Sequence, residues 1–159
     1  MTANNHRRFM MRAIELARQG MDSNSGGPFG AIVVRDGEVI GEGLNQVTST
    51  NDPTAHAEIV AIRAACQKLG SFQLEGCLIY ASCEPCPMCL GAIYWARPEK
   101  IIFGCTRQDA ADIGFDDNFF YSELNKRIDE RTLPMISLMR EESLKVFKTW
   151  AQKPDKTEY

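Results

Sequence analysis

Two short stretches hold residue types able to do chemistry at the spacing chemistry needs: His56-Ala57-Glu58 and Pro85-Cys86-Pro87-Met88-Cys89. Zinc is a borderline-soft cation that takes imidazole nitrogen and thiolate sulfur, usually in a tetrahedron. Cys86 and Cys89 stand i, i+3 at the start of a predicted helix, so their sulfurs converge on one side. The positive end of that helix favours thiolates before any metal arrives. His56 offers a third ligand. Three protein ligands leave a fourth position open, which separates a catalytic zinc from a closed structural one. Water in that position has its pKa lowered towards about 7. The resulting nucleophile needs a carboxylate to handle its protons, and Glu58 stands two residues from His56.

Other uses of these cysteines compete with that reading. Cys83, Cys86 and Cys89 are spaced C-x2-C-x2-C, which also fits a closed zinc module with Cys83 as fourth ligand. The bacterial iron–sulfur run wants a further cysteine followed by proline, where this chain has Ile93-Tyr94. A closed site has no use for Glu58 or for prolines on both sides of Cys86. Cys66, Cys77 and Cys105 fall on apolar faces, as core residues do. His6 reads as a solvated surface histidine.

The elements that must position these residues follow from the patterning. Phe9, Ala13, Leu16 and Ala17 recur at helical spacing over His6–Gly20, and Asp22–Gly30 is a loop. Ala31–Arg35 and Glu38–Leu44 are β-rich runs about Asp36-Gly37, a strong hairpin signal. Thr48–Pro53 is turn-rich. Thr54–Leu69 is helical, with Ile59, Ile62, Cys66 and Leu69 as its apolar stripe, and Gly70 stops it. Cys77–Ala81 reads as a buried strand, Cys86–Ala96 as a short helix with Pro87 at its start, and Lys100–Cys105 as a strand. An acidic turn, a weak helix over Phe119–Asn125, a strand at Leu133–Met139 and a helix over Glu141–Gln152 follow.

A hairpin followed by alternating strands and helices predicts an α/β fold, a three-layer α-β-α sandwich on a mixed central sheet. Ligands in such sheets gather beyond the carboxyl ends of strands, near helix N-termini. His56 and Glu58 are about 200° apart around a helix at 100° per residue. They can converge only over the N-terminal end of that helix, where the sheet argument also places the site.

The 159 residues make one domain's worth of chain, expected over 1–152 with a tail at 153–159. At 44% hydrophobic and 25% charged, the composition is that of an ordinary globular protein that needs no disulfides. No apolar run approaches the roughly 18 residues of a membrane span. Met1–Phe9 carries Arg7 and Arg8 with no apolar stretch behind them, so a secretory signal is not expected and a cytosolic setting is. The net charge of −3 is unevenly spread. Gly26–Asn125 holds 6 Lys/Arg against 13 Asp/Glu, the opposite of a groove built to displace phosphate counterions.

His-Ala-Glu followed by Pro-Cys-x-x-Cys resembles the signature of the zinc-dependent nucleobase deaminases of the cytidine deaminase-like superfamily. Within it the chain looks most like the bacterial guanine deaminases. The stretches that carry the likeness are Gly26–Ala31, Asn51–Glu58, Ser82–Pro98, Gly114–Phe119 and the terminal Glu158-Tyr159. The tRNA-adenosine deaminases share DPTAHAE, EPCPMC and GAI, so those motifs do not choose the substrate. The later blocks do. Arg107–Glu123, with 1 arginine against 5 carboxylates, also suits a small neutral base better than RNA.

The resemblance implies one catalytic zinc per subunit on His56, Cys86 and Cys89, with Glu58 moving protons as guanine loses its amino group from C2 to give xanthine. It implies substrate contacts from Asn45, the Ala57 backbone N–H, Phe29, Trp95 and Asp117, with Tyr159 as a lid. It implies a homodimer, while the charge distribution and the lack of a long apolar run lead to no expectation of a nucleic-acid or membrane partner. A tRNA-adenosine deaminase and a non-catalytic zinc-stabilised binding module stand as the alternatives.

Overall fold

The computed structural model describes residues 3–159; Met1 and Thr2, which begin the stretch read for a secretory signal, lie outside them. The chain divides into two compact units, the first ending at Asp117 and the second running Asn118–Tyr159. In the first, α1 (Ala3–Asp22) precedes β1 (Gly30–Arg35) and β2 (Glu38–Leu44). A one-turn helix, α2 (Val47–Thr50), leads to α3 (Ala57–Leu69), β3 (Cys77–Cys83), α4 (Pro87–Ala96), β4 (Lys100–Cys105) and α5 (Arg107–Asp112). The sheet runs β2-β1-β3-β4, with β1 antiparallel to both neighbours and β3 parallel to β4. This is the mixed sheet expected, and the hairpin turns at Asp36 and Gly37, both at positive φ.

Period-two alternation sorts the central strands onto two cores. Ala31, Val33, Cys77, Ile79 and Ala81 face one side with Ala57, Ala61, Ala65 and Ile93 from α3 and α4. Ile32, Val34, Leu78 and Tyr80 face the other with Phe9, Ala13 and Leu16 of α1. Buried on both faces, β1 and β3 form the middle of a three-layer sandwich, as apolar runs of this kind require.

The face α3 turns inward differs from the stripe read from its sequence. Ala57, Ala61 and Ala65 are the residues fully buried, while Ile62, Cys66 and Leu69 pack only at the margin. The cause is the distance of approach. A Cβ on Gly43 would stand 2.1 Å from the Ala57 carbonyl and 2.6 Å from the Ala61 nitrogen, and one on Gly41 would stand 2.4 Å from the Ala61 carbonyl. Glycine on the strand and alanine on the helix let the two backbones nearly touch, and this seats the first turn of α3 over the sheet edge. Gly43→Ala is therefore expected to cost about 1–3 kcal/mol by overpacking against backbone, read as a lower urea midpoint.

Other expectations need correcting. Cys105 is exposed, not core, because β4 is an edge strand with a neighbour on one side only. His6 is no solvated histidine: its Nδ1 lies 2.7 Å from the hydroxyl of buried Tyr80, a polar group that needs a partner once its ring is buried.

The second unit holds α6 (Asn118–Asn125), a 3-10 turn at Ile128–Glu130 and α7 (Arg140–Gln152). Leu133–Met139 forms no strand, although its composition suits one. A strand exists only where another backbone satisfies its N–H and C=O groups, and Pro134 lacks the N–H altogether. Leu133, Ile136 and Leu138 are each more than three-quarters exposed. Among the described residues, no helix is long and apolar enough to cross a membrane.

Candidate active site

Three chain segments gather at one end of the first unit's sheet, beyond the C-terminal ends of β2 and β3. β3 ends at Cys83 and leads within three residues to the N-cap of α4, which is Cys86. Pro87 follows at the first helical position, where its fixed φ suits the helix and its missing N–H costs nothing. The N-cap of α3 is His56. Both cap residues have extended backbones, and their side chains turn towards one another instead of making the usual oxygen cap of their helices. The third segment joins β1 and β2: Gly30 pairs with Leu44, and just beyond them Asn45 N–H donates to the Phe29 carbonyl at 3.0 Å. Gln46 N–H then donates to the Ala55 carbonyl at 2.9 Å, tying Asn45 to the approach to His56.

His56 Nδ1 lies 3.6 Å from Cys86 Sγ and 3.5 Å from Cys89 Sγ. With metal–sulfur bonds of about 2.3 Å and a metal–nitrogen bond of about 2.0–2.1 Å, a tetrahedral zinc needs nitrogen and sulfur about 3.5–3.6 Å apart. The three donors lie within 4.8 Å of one another, so they fit the zinc that their chemistry calls for. The convergence over helix N-termini inferred from the 200° offset is the one observed.

Hydrogen bonds from Cys89 and then from His56 hold the Cys86 thiol down to about 4, so it is a thiolate at neutral pH. Cys89 is pushed up, chiefly by the hydrogen bond it makes to Cys86 and by burial. His56 is raised, first by Cys86. Without a metal, the two sulfurs thus share the proton that a cation would displace.

Glu58 is 8% exposed, and its Oε2 accepts from Cys89 Sγ at 3.4 Å. Burial raises its carboxyl above the ordinary range, the leading cause, and the Cys86 thiolate adds to it. A carboxyl whose proton is held more firmly than in water, beside a metal-type triad, is suited to carrying protons.

Asn45 is 5% exposed, with its Oδ1 accepting from Val47 N–H at 3.2 Å. Phe29 meets Phe115 edge-on, ring centroids 4.9 Å apart. Ala57, the first residue of α3, is fully buried at the donor-rich end of that helix. Asp117 is half-buried and raised by that burial, and its charge is felt by both His56 and Cys86. Trp95 sits in the last turn of α4, 63% exposed, well along the helix from Cys89. Tyr159, 68% exposed, lies in the second unit.

Cys83 is not part of the triad. Its buried thiol donates to the Thr106 carbonyl at 3.5 Å, and burial pushes it up to about 11. This removes the closed four-ligand arrangement left open by the C-x2-C-x2-C spacing. Cys83→Ser is expected to retain one zinc per chain and turnover close to that of the unsubstituted protein, measured by metal analysis and ammonia release.

Sequence reasoning missed Phe115. Its signal was faint: an aromatic two residues before Asp117, with Gly27 far earlier in the chain.

Two cysteine sulfurs and an imidazole that converge beside a buried carboxyl, on a mixed sheet, are the equipment of a metal-dependent hydrolase. Residues 3–105 match the model of the cytidine and deoxycytidylate deaminase zinc-binding region, and the chain belongs to that family. It is 52% identical over 155 residues to the guanine deaminase of Bacillus subtilis, covering 98% of this chain and 99% of that one. The crystal structure of a Bacillus subtilis guanine deaminase superposes with a TM-score of 0.94 at 52% identity, over 97% of this chain and 98% of that one. The tRNA-specific adenosine deaminase of Aquifex aeolicus is 50% identical over 76 residues, 48% of this chain and 50% of that one.

Proposed function

We propose that the chain hydrolytically deaminates guanine, releasing ammonia and leaving xanthine, in the salvage or breakdown of purines. The observation that carries the chemistry is Glu58: a buried carboxyl hydrogen-bonded to Cys89 beside a site of three protein donors. Support for guanine comes from the extent of likeness, which covers 98% of this chain for a guanine deaminase and 48% to 66% of it for tRNA-specific adenosine deaminases. The excess of carboxylates over Gly26–Asn125 also disfavours RNA.

Zinc, when held by His56, Cys86 and Cys89, supplies an activated water as nucleophile for C2 of the purine. Glu58 would take one proton from the attacking water and pass it to ring N3, then carry the remaining proton of the new C2 hydroxyl to the amino group, so that the C2–N bond breaks, ammonia leaves and C2=O remains. Asn45 offers donor and acceptor together to the purine edge. The Ala57 N–H faces developing negative charge, as amides at helix N-termini do. Phe29 and Trp95 give aromatic faces to the base, and Asp117 is a second proton-handling carboxyl.

The working form is a homodimer in the cytoplasm. The chain up to residue 152 acts as one deaminase domain, and the tail 153–159 closes an active site with Tyr159. The exposed Leu133, Ile136, Leu138 and Phe147 support a second copy as partner, since a monomer rarely leaves so much apolar surface to water.

The test is ammonia release from guanine, cytosine, adenine, ammeline and an anticodon stem-loop RNA, with and without chelator. Guanine is expected to react fastest, and chelator to stop it. Activity confined to the RNA would overturn the reading.

A further inference from the structure

Asp117 can act only if something holds it beside the triad, because it stands in an acidic turn that water would otherwise solvate. Helix α5 ends just before it. Ile113 and Phe115 N–H groups donate to the Ala110 carbonyl at 3.2 and 3.0 Å, and Gly114 N–H donates to the Ala111 carbonyl at 2.9 Å. Gly114 has a φ of +95°, so the chain reverses there through a conformation that other residues rarely adopt. The reversal leaves Phe115 against the loop that precedes β1.

That loop is shaped to receive a ring. Phe115 meets Phe29 at 88°, with centroids 4.9 Å apart, a favoured edge-on arrangement. A Cβ on Gly27 would stand 2.9 Å from Phe115 Cζ and 3.0 Å from Phe29 Cε2, so the space beneath the two rings exists only because residue 27 is glycine. Phe29 is itself fastened: its carbonyl accepts from Asn45 N–H at 3.0 Å, and its own N–H donates to the Gly27 carbonyl at 2.8 Å. Phe115 is thus docked on a segment that backbone hydrogen bonds tie to Asn45.

Two residues of chain span at most about 7 Å, so fixing Phe115 confines Asp117 to a small volume. Asp117 lies where the Cys86 thiolate, Asp116 and Glu84 repel its charge and His56 attracts it. Like charges and solvation both pull the turn outward, and the aromatic contact opposes them.

We propose that Phe115 is a positioning residue of the reaction, seated on Gly27 and Phe29 to hold Asp117 against the zinc site. This rests on the reading of Asp117 as a proton-handling group. Small misplacements of such a group are costly, about 10²-fold for 1 Å.

The test compares Phe115→Ala, Phe115→Tyr, Gly27→Ala, Asp117→Asn and the double variant Phe115→Ala/Asp117→Asn, measuring kcat and KM for guanine and zinc per chain. Phe115 is 42% exposed, so its truncation leaves no sealed cavity. Gly27→Ala disturbs the same contact from beneath while keeping the ring. Phe115→Ala and Gly27→Ala are expected to lower kcat by about 10–10²-fold with zinc retained. Phe115→Tyr keeps the edge-on ring and restores kcat. In the Asp117→Asn background, the loss of Phe115 is expected to add nothing further, the mark of two residues acting as one unit.

Independent, multiplying losses in the double variant would overturn the inference. So would a rise in KM at unchanged kcat, which belongs to an aromatic that merely touches the base. Asp117→Asn impaired with Phe115→Ala unimpaired would sink this inference and leave the reading of Asp117 standing. Asp117→Asn at full activity would remove that reading, and the inference with it.

Discussion

Glu58→Gln lowers kcat for guanine deamination by about 10²–10⁴-fold, the range for removal of a general acid–base group, while the protein keeps one zinc per chain. The amide has nearly the shape of the carboxyl and leaves His56, Cys86 and Cys89 untouched, so metal content and activity separate. In the chelator-stripped protein the same substitution has a second signature. The folded-state pKa of Glu58 is raised by burial above the ordinary value of 4.5. The native state therefore binds more protons than the unfolded state in the window between 4.5 and that raised value. Stability from this group is fully present below the window and is lost as pH rises through it. Glu58→Gln removes that slope. The checks are turnover with metal analysis, and urea midpoints of metal-free protein across pH. Full activity of a zinc-loaded Glu58→Gln protein would show that protons move by another route.

Cys89→Ala abolishes both zinc binding and turnover. Cys89 is buried, and removing its sulfur leaves two ligands for an ion that holds to three protein donors in catalytic sites. Zinc per chain is expected to fall to background after dialysis, and activity by more than about 10³-fold with loss of the nucleophile's activation. Added zinc restores activity to chelator-stripped wild-type protein but not to the variant. The thermal midpoint of the wild type rises on adding zinc, because an ion that binds only the folded state stabilises it by mass action. A Cys89→Ala protein with one zinc and normal turnover would dismiss the triad as the metal site.

The chemical core of this site was legible because it is local. His56 and Glu58 are neighbours, Cys86 and Cys89 lie one helical turn apart, and Pro87 marks where that turn begins. Helix geometry then requires the first pair to meet over an N-terminus, and both segments do become N-terminal turns. The hairpin at Asp36-Gly37 and the layering of Ile32 against Val33 were equally local, set by turn sterics and by strand periodicity.

What sequence could not supply is whatever depends on partners distant in the chain. The stripe of Ile59, Ile62, Cys66 and Leu69 looked like the buried face of α3, but the glycines of β2 bring the helix so close that alanines occupy it. Cys83 had ligand spacing, yet the Thr106 carbonyl takes its thiol. His6 looked solvated until Tyr80 stood beside it. Leu133–Met139 had the composition of a strand and no strand to pair with. Residue types and near-neighbour spacing determined the zinc-type donor set and the class of reaction, and singled out Glu58 as the carboxyl beside it, because ligand chemistry and helical pitch act over a few residues. Only the tertiary structure decided which cysteine is left out, which face of α3 is inward and that Phe115 meets Phe29 over Gly27, because these are matters of close approach between segments that the chain order keeps far apart.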